Sequence, residues 1–393
     1  MRALAPAVLA AFIASIPATA GTTDGWAQIV ELYRQRLTEA GIVGSSLFLV
    51  QDGVVAEKAL EGYQDLETKR PVDEQTIYHW ASVTKTFTGI AIMQLRDRSL
   101  LSLDDPVVKH VPELRRVHNP FGDISQVRIH HLMSHSGGFR AGTWPWGGDQ
   151  PWHPFEPTGW EQLVAMLPYT DVRFAPGTRY SYSNPGVIFL GRIIELLSGD
   201  DYEVYVAKNI LMPLEMTRTF FDRAPYHLVR HRSHSYTREA SGVREGRFDF
   251  DSGITVSNGG LNAPLGDMAK YLAFLIGDAR RRDAYDGVLA RTSLEEMFTP
   301  RIKAVDGEGG SGSDVSAGLS FFIERHHGVE LVGHSGDQNG FISHLYLHRP
   351  SRSGYVVSFN TNTAAGAAPL RTTRSVDDDV RDAIVREIFT ARQ

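Results

Sequence analysis

The spacing of apolar residues changes period several times along this chain, and each change marks a predicted element. Residues 26–40 place Ile29, Leu32, Tyr33 and Leu37 at the three-to-four spacing of an amphipathic helix. Residues 45–50 and 54–63 read as strands around Gln51-Asp-Gly53, where the Asp-Gly step signals a hairpin. The helical period returns from Ser82 to about residue 98, with Phe87, Ile90, Ala91 and Leu95 in one row.

Residues 101–106 read as a turn into a short helix and 127–133 as another helical piece, followed by the glycine-rich Ser134-His-Ser-Gly-Gly138. The runs 186–198, closed by Gly199, and 202–210 are helical, and 259–268 turns into a helix ending at Ile276. From the Ser134–Gly138 turn to about residue 300 strand signals are sparse, which predicts a mainly helical insert. Glycine- and serine-rich 305–313 is expected to be mobile. Period-two stretches resume at 319–324, 329–333, 341–347 and 355–360, an antiparallel meander. The last predicted helix, 378–391, aligns Val380, Ile384 and Ile388, and three aspartates at its start suit the positive end of a helix dipole. The pattern predicts an α/β chain of the α+β kind: a central antiparallel β-sheet flanked by helices plus a mainly helical domain. The sheet subdomain takes about 25–98 and 300–393, and the helical subdomain about 99–299.

Composition narrows the partners. A chain of 393 residues carries one large core or two domains. Its formal net charge is −6 and no basic run stands out, which argues against nucleic acid and anionic membranes as partners. With no cysteine, disulfides, thiolate chemistry and Cys-zinc sites are excluded. No His-Glu-x-x-His occurs; His227, His231 and His234, like His130, His131 and His135, read as solvated or hydrogen-bonded rather than as metal ligands. Neither metal nor cofactor is expected. Met1-Arg2, an apolar run over 3–16 and the Ala18-Thr-Ala20 step read as a signal peptide over 1–20, which predicts a periplasmic or secreted protein with no stable membrane span after cleavage. Trp144, Trp146, Trp152 and Trp160 fall among glycines and prolines; the favoured reading is a surface loop stapled by its own aromatics, with a lid over an apolar substrate group as the sharper alternative.

Candidate chemistry starts at Ser82. Lys85 follows three residues later where the helical period begins, a spacing that puts a hydroxyl beside an amine on one helix face. A serine hydroxyl needs a base to become a nucleophile, and a helix start offers positive potential and free backbone N–H groups. Alone, the pair also suits a plain N-cap. Two later stretches would complete an acyl-transfer site. Tyr182-Ser-Asn184 supplies a phenol able to move a proton and an amide able to position a substrate. His334-Ser335-Gly336-Asp337 supplies a glycine where a substrate could approach a strand edge, and the Asp337 N–H as a second oxyanion donor.

Ser-x-x-Lys, then Tyr-x-Asn, then a polar or cationic residue before Ser/Thr-Gly resembles the three-motif layout of the serine β-lactamase and penicillin-binding protein family. Leu101-Ser-Leu-Asp-Asp-Pro106, Ile129 through Gly138, Phe174-Ala-Pro-Gly-Thr178, Met212-Pro-Leu-Glu-Met216 and Gly333 through Asp337 look most like its class C β-lactamase, D-alanyl-D-alanine carboxypeptidase and esterase branch. The resemblance covers about residues 40–360. It implies a β-lactamase/transpeptidase-like fold and a serine hydrolase acting through an acyl-enzyme on an ester, a D-amino-acid peptide or a β-lactam-like amide. By the same resemblance Ser82 is acylated, Lys85 and Tyr182 share the base and acid roles, Asn184 positions substrate, and the N–H groups of Ser82 and Asp337 hold the oxyanion. The partner is then a small-molecule or peptide substrate; the number of subunits is left open.

The chain departs from β-lactamases of this branch at His334, where they usually carry lysine. A histidine is mostly neutral near pH 7, so its pull on a substrate carboxylate is expected to be weaker and pH-dependent. That implies faster turnover of small esters or D-amino-acid peptides than of cephalosporins. Two rivals remain: a nucleophile elbow at Gly333-His-Ser-Gly-Asp337, which needs a strand-to-helix turn, and a penicillin-binding or sensor-type protein that is acylated or binds cell-wall peptides without efficient turnover.

Overall fold

A computed structural model of the chain describes residues 20–143, 157–246, 251–304, 314–364, 367 and 371–390. Residues 1–19 of the signal reading over 1–20, Trp144, Trp146, Trp152 and the glycine-rich 305–313 lie outside the described residues. Strands in chain order are β1 (Gly44–Gln51), β2 (Val54–Asp65), β3 (Arg70–Pro71), β4 (Ile77–His79), β5 (Phe220–Phe221), β6 (Tyr236–Glu239), β7 (Gly242–Glu245) and β8 (Leu261–Pro264). They continue with β9 (Ile302–Lys303), β10 (Val315–Ala317), β11 (Phe322–His326), β12 (Val329–Gln338), β13 (Phe341–His348), β14 (Ser353–Phe359) and β15 (Thr361–Thr363). Among the described residues nine of them form one sheet in the order β3-β2-β1-β14-β13-β12-β11-β10-β9.

Alternation along β1 shows why the sheet sits where it does. Leu47 and Leu49 point to one face, where Trp26, Ile29, Tyr33 and Leu37 of the Ala20–Ala40 helix and Val380 and Ile384 of the Thr373–Ile384 helix close a core. Phe48 and Val50 point to the other, into a larger core with Tyr271 and Leu272 of the Leu265–Ile276 helix and Phe87 and Ile90 of the Thr84–Asp97 helix. Both faces are covered, so β13 and β14 are buried along their whole length.

Several elements differ from the sequence expectation. The strand expected over 319–324 forms only from Phe322, as the start of β11; residues 318–321 turn between β10 and β11, with Gly318 N–H donating to Phe321 O at 2.8 Å and Ser320 at φ 64°. Leu319 and Phe321, whose apolar spacing suggested a strand, instead bury the tip of the β10–β11 hairpin in the larger core, where Phe321 meets Phe298 edge-on. The C-terminal helix begins at Thr373, capped by Thr372 and Ser375, and passes into a wider turn over Val385–Phe389. Its aspartates are therefore inside it and pair with basic side chains: Asp379 with Arg36 at 2.8 Å and Arg371 at 2.6 Å, Asp377 with His344. Strand β12 runs five residues beyond the expected end and carries the whole His334–Asp337 motif. The short strands β5 to β8 interrupt the mainly helical region, and at two to four residues they are too brief to print a period.

Candidate active site

Ser82 lies in the single helical turn Ala81–Val83 that links β4 to the Thr84–Asp97 helix. The turn is pinned by Trp80, which is fully buried: its N–H donates to Leu261 O at 2.8 Å and its indole N–H to Ala263 O at 2.9 Å. Ala81, just before the serine, is held at φ 45°, a left-handed conformation costing an L-residue about 1–2 kcal/mol. Ser82 is not an N-cap, because Val83 occupies that position and no side chain caps the helix. At the start of a helical run, the Ser82 N–H precedes any helical carbonyl that could accept it.

Lys85, 1% exposed, reaches back one turn, and its Nζ donates to Ser82 Oγ at 2.9 Å and to the Asn258 carbonyl at 2.8 Å. The Tyr182 ring centroid lies 5.0 Å from the same Nζ. Tyr182 is carried on a segment tied at both sides: Ser181 N–H donates to His135 O at 2.8 Å and Ser183 N–H to His135 Nδ1 at 3.1 Å. Helix Asn184–Ser198 then starts, with Ser183 as N-cap accepting from Gly186 N–H at 3.1 Å and Pro185 in its first turn. Asn184 is half-buried, and its Oδ1 has no partner.

The third motif arrives on β12. Strand β11 pairs with β12 only as far as Phe322–Gly333, so from His334 onward that edge of β12 has no β11 neighbour. His334 is 2% exposed, 6.4 Å from Tyr182 and 5.1 Å from Phe322 between ring centroids. Its Nδ1 lies 2.6 Å from Ser335 O, and its Nε2 is buried without a partner. Burial, then the charge on Lys85, push the His334 imidazole down to about 3. The ring expected to be mostly neutral near pH 7 is thus held neutral further into acid, and the expected pH-dependence moves away from neutral pH. Because a carbonyl can only accept, the neutral ring carries its proton on Nδ1 and leaves Nε2 as a bare acceptor.

Gly336 lets β12 press against the nucleophile turn: a Cβ there would sit 2.2 Å from Trp80 O. Ser335 pairs with His344 in register, whereas Gly336 pairs with Ser343, whose Oγ donates to Trp80 O at 3.2 Å. Ser335 and Asp337 therefore point their side chains to the face opposite His334 and Gly336, leaving their backbones to the cleft. The Asp337 carboxylate pairs with Arg374 and accepts from Asn362 Nδ2 at 2.8 Å. The elbow alternative fails here, since β12 turns into β13 rather than a helix.

Ser82, Lys85, Tyr182 and His334, spread over more than 250 positions, thus come together in one place. Two contributors escaped the sequence. The Asn258 carbonyl has no side-chain signature. His135 reads from the sequence only as one of a trio with His130 and His131, although the Ser134-His-Ser-Gly-Gly138 turn that holds it is visible.

The chain matches the family model described as Beta-lactamase over residues 29–378. It aligns at 26% identity over 342 residues with Protein flp of Staphylococcus aureus, covering 87% of this chain and 64% of that protein. The chain thus spans a little under two-thirds of the length of these curated relatives. Among solved structures, an octameric penicillin-binding protein homologue from Pyrococcus abyssi superposes with a TM-score of 0.75 at 29% identity, covering 94% of this chain and 78% of the other. The D-amino acid amidase of Ochrobactrum anthropi shares the fold, with a TM-score of 0.73 at 21% identity over 94% of this chain and all, 100%, of that one. With most of its length inside the family model and its fold shared by these neighbours, the chain belongs to the beta-lactamase family.

Proposed function

We propose that this protein is a serine hydrolase that works through an acyl-enzyme on Ser82. The observation that carries the reading is the Lys85 Nζ 2.9 Å from Ser82 Oγ, with the Tyr182 ring centroid 5.0 Å from the same nitrogen. Ser82 Oγ attacks the acyl carbonyl as its proton passes to the Lys85–Tyr182 pair. The N–H groups of Ser82 and Asp337 take the oxyanion, each such donor being worth about 3 kcal/mol of barrier. The same proton is returned to the leaving amine or alcohol, and water then cleaves the acyl-serine by the reverse path.

His334 refines the substrate class. A neutral ring offering only a lone pair accepts from a substrate N–H or O–H and gives no attraction to a carboxylate. Esters and amides without a carboxylate at that position are therefore the favoured acyl donors, ahead of peptides ending in D-alanine carboxylate and ahead of cephalosporins. The Ochrobactrum anthropi neighbour, named for D-amino acid amides, fits this order. With the signal reading, the reaction belongs outside the cytoplasm.

The test is a panel of nitrophenyl esters, D-amino-acid amides, D-Ala-D-Ala peptides and nitrocefin on wild type and Ser82→Ala, with intact-mass detection of the adduct. Turnover surviving in Ser82→Ala, or no adduct on Ser82, refutes the enzyme. A burst without a steady state favours the slowly acylated binding protein, and cephalosporins turned over as fast as esters refute the substrate order.

A further inference from the structure

His135 stands at the tip of the Ser134-His-Ser-Gly-Gly138 turn with φ 54°, in the left-handed region. That conformation directs a polar ring inward, where it is only 4% exposed. The ring lies 4.4 Å from the Tyr182 ring at 32°, with Phe322 at 6.3 Å and 12° and Tyr180 at 6.0 Å and 83°. The same residue accepts from Ser181 N–H through its carbonyl and from Ser183 N–H through Nδ1. One side chain and its backbone thus hold the residue before Tyr182, the residue after it, and the ring itself.

We propose that His135 is a positioning residue that aims the Tyr182 phenol at Lys85, acting through the ring stack and the two backbone hydrogen bonds on either side of it. The role rests on the acyl-enzyme chemistry proposed at Ser82. Nδ1 must stay an acceptor for the Ser183 N–H, so the ring must stay neutral with its proton on Nε2. Its surroundings enforce this: burial first, then the Lys85 charge and His334, hold the imidazole well below its ordinary range. The charged or titratable groups around it are Lys85, Tyr180, Tyr182 and the neutral His334, with no carboxylate among the causes acting on the ring. A phenol displaced by even about an ångström from its proton partner loses much of its contribution, which for a general acid or base is about 10²–10⁴-fold.

The experiment measures the single-turnover rate of Ser82 acylation by a nitrophenyl ester, and its pH profile, in two variants. His135→Asn keeps a residue tolerant of positive φ and removes the ring. His135→Phe keeps the ring and removes the acceptor. We expect His135→Asn to slow acylation by about tenfold or more and to displace the pH limb set by the Lys85–Tyr182 pair, with KM moving less than about twofold. We expect His135→Phe, which keeps the stack but loses the Ser183 hydrogen bond, to be slowed less than His135→Asn, by about three- to tenfold. Wild-type rate and profile in His135→Asn overturn the proposal. So does a loss that only tracks the fraction of folded protein while the limb stays put. If His135→Asn does not fold, a wild-type acylation rate and pH limb in folded His135→Phe is the refuting result. Absence of any adduct in the wild type is scored separately and sinks the acyl-enzyme reading itself.

Discussion

Replacing Gly336 by alanine tests the contact on which the two proposed oxyanion donors, the N–H groups of Ser82 and Asp337, depend. A Cβ on Gly336 would lie 2.2 Å from Trp80 O and 2.7 Å from Ser343 Oγ, where ordinary contact starts at 3.4 Å. Something must move by about 1.2 Å. Trp80 is the poorer candidate, since its backbone and indole are both hydrogen-bonded and its side chain is fully buried. Strand β12 therefore gives way, and the Asp337 N–H leaves the Ser82 N–H by a similar distance. A misplacement near 1 Å costs about 10²-fold, and outright loss of an oxyanion donor about 10²–10³-fold. We expect kcat on a nitrophenyl ester to drop about 10²-fold, KM to change far less, and unfolding free energy to fall by about 1–3 kcal/mol. Gly354→Ala is the control: on β14 its Cβ would meet Tyr346 O at 2.5 Å, the same kind of clash away from Ser82. It should lower the urea midpoint and leave kcat per folded molecule intact. A folded Gly336→Ala with wild-type kcat, or a Gly354→Ala equally slowed, refutes the reasoning.

Two further outcomes follow from buried polar groups. Asn184 Oδ1 is buried without a partner, a state costing about 1–3 kcal/mol. Asn184→Ala should therefore hold or raise the thermal midpoint while kcat/KM falls at least about tenfold; calorimetry beside kinetics checks it, and a drop in both makes the residue structural. Stability should also fall with acid. Burial, the first cause in each case, lowers His79 and His131 to about 4 and His334 to about 3 from 6.5, and His135 well below 6.5. Below pH 6.5 the unfolded chain binds protons that the folded chain refuses, so stability is full above 6.5 and declines toward 4. The slope is up to about 1.4 kcal/mol per pH unit for each fully buried ring, less for the partly buried His131. Asp222, raised by burial to about 6, opposes this below pH 6, as do Glu203 and Asp337, which burial also raises, but the lowered histidines outnumber them. Urea midpoints that stay flat from pH 7 to 4.5 would contradict this account.

How much of this was legible in the sequence depended on whether the information was local. The hairpin at Asp52-Gly53, the helix behind Ser82 and the alternation along 341–347 are written in neighbouring residues, and the structure forms them there. The hairpin at Ser320 and the early start of the last helix were misread because their cues come from tertiary contacts. Leu319 and Phe321 are apolar for the sake of the core behind the hairpin, and Asp377–Asp379 are acidic for Arg36, Arg371, Arg381 and His344.

The sequence by itself determined which chemical groups are available: one Ser-x-x-Lys, one Tyr-x-Asn, a histidine where a lysine is usual, and no thiol at all. Those are covalent facts, and the elements that carry them follow from local periodicity. Only the tertiary structure decided what state and direction each group takes. His334 is neutral because it is buried beside Lys85, Ser335 faces away from the cleft because pleating sends alternate side chains to opposite faces, and Lys85 is anchored by a carbonyl from residue 258. Charge state and orientation depend on what lies within a few ångströms in space, and in this chain those neighbours lie up to hundreds of residues away.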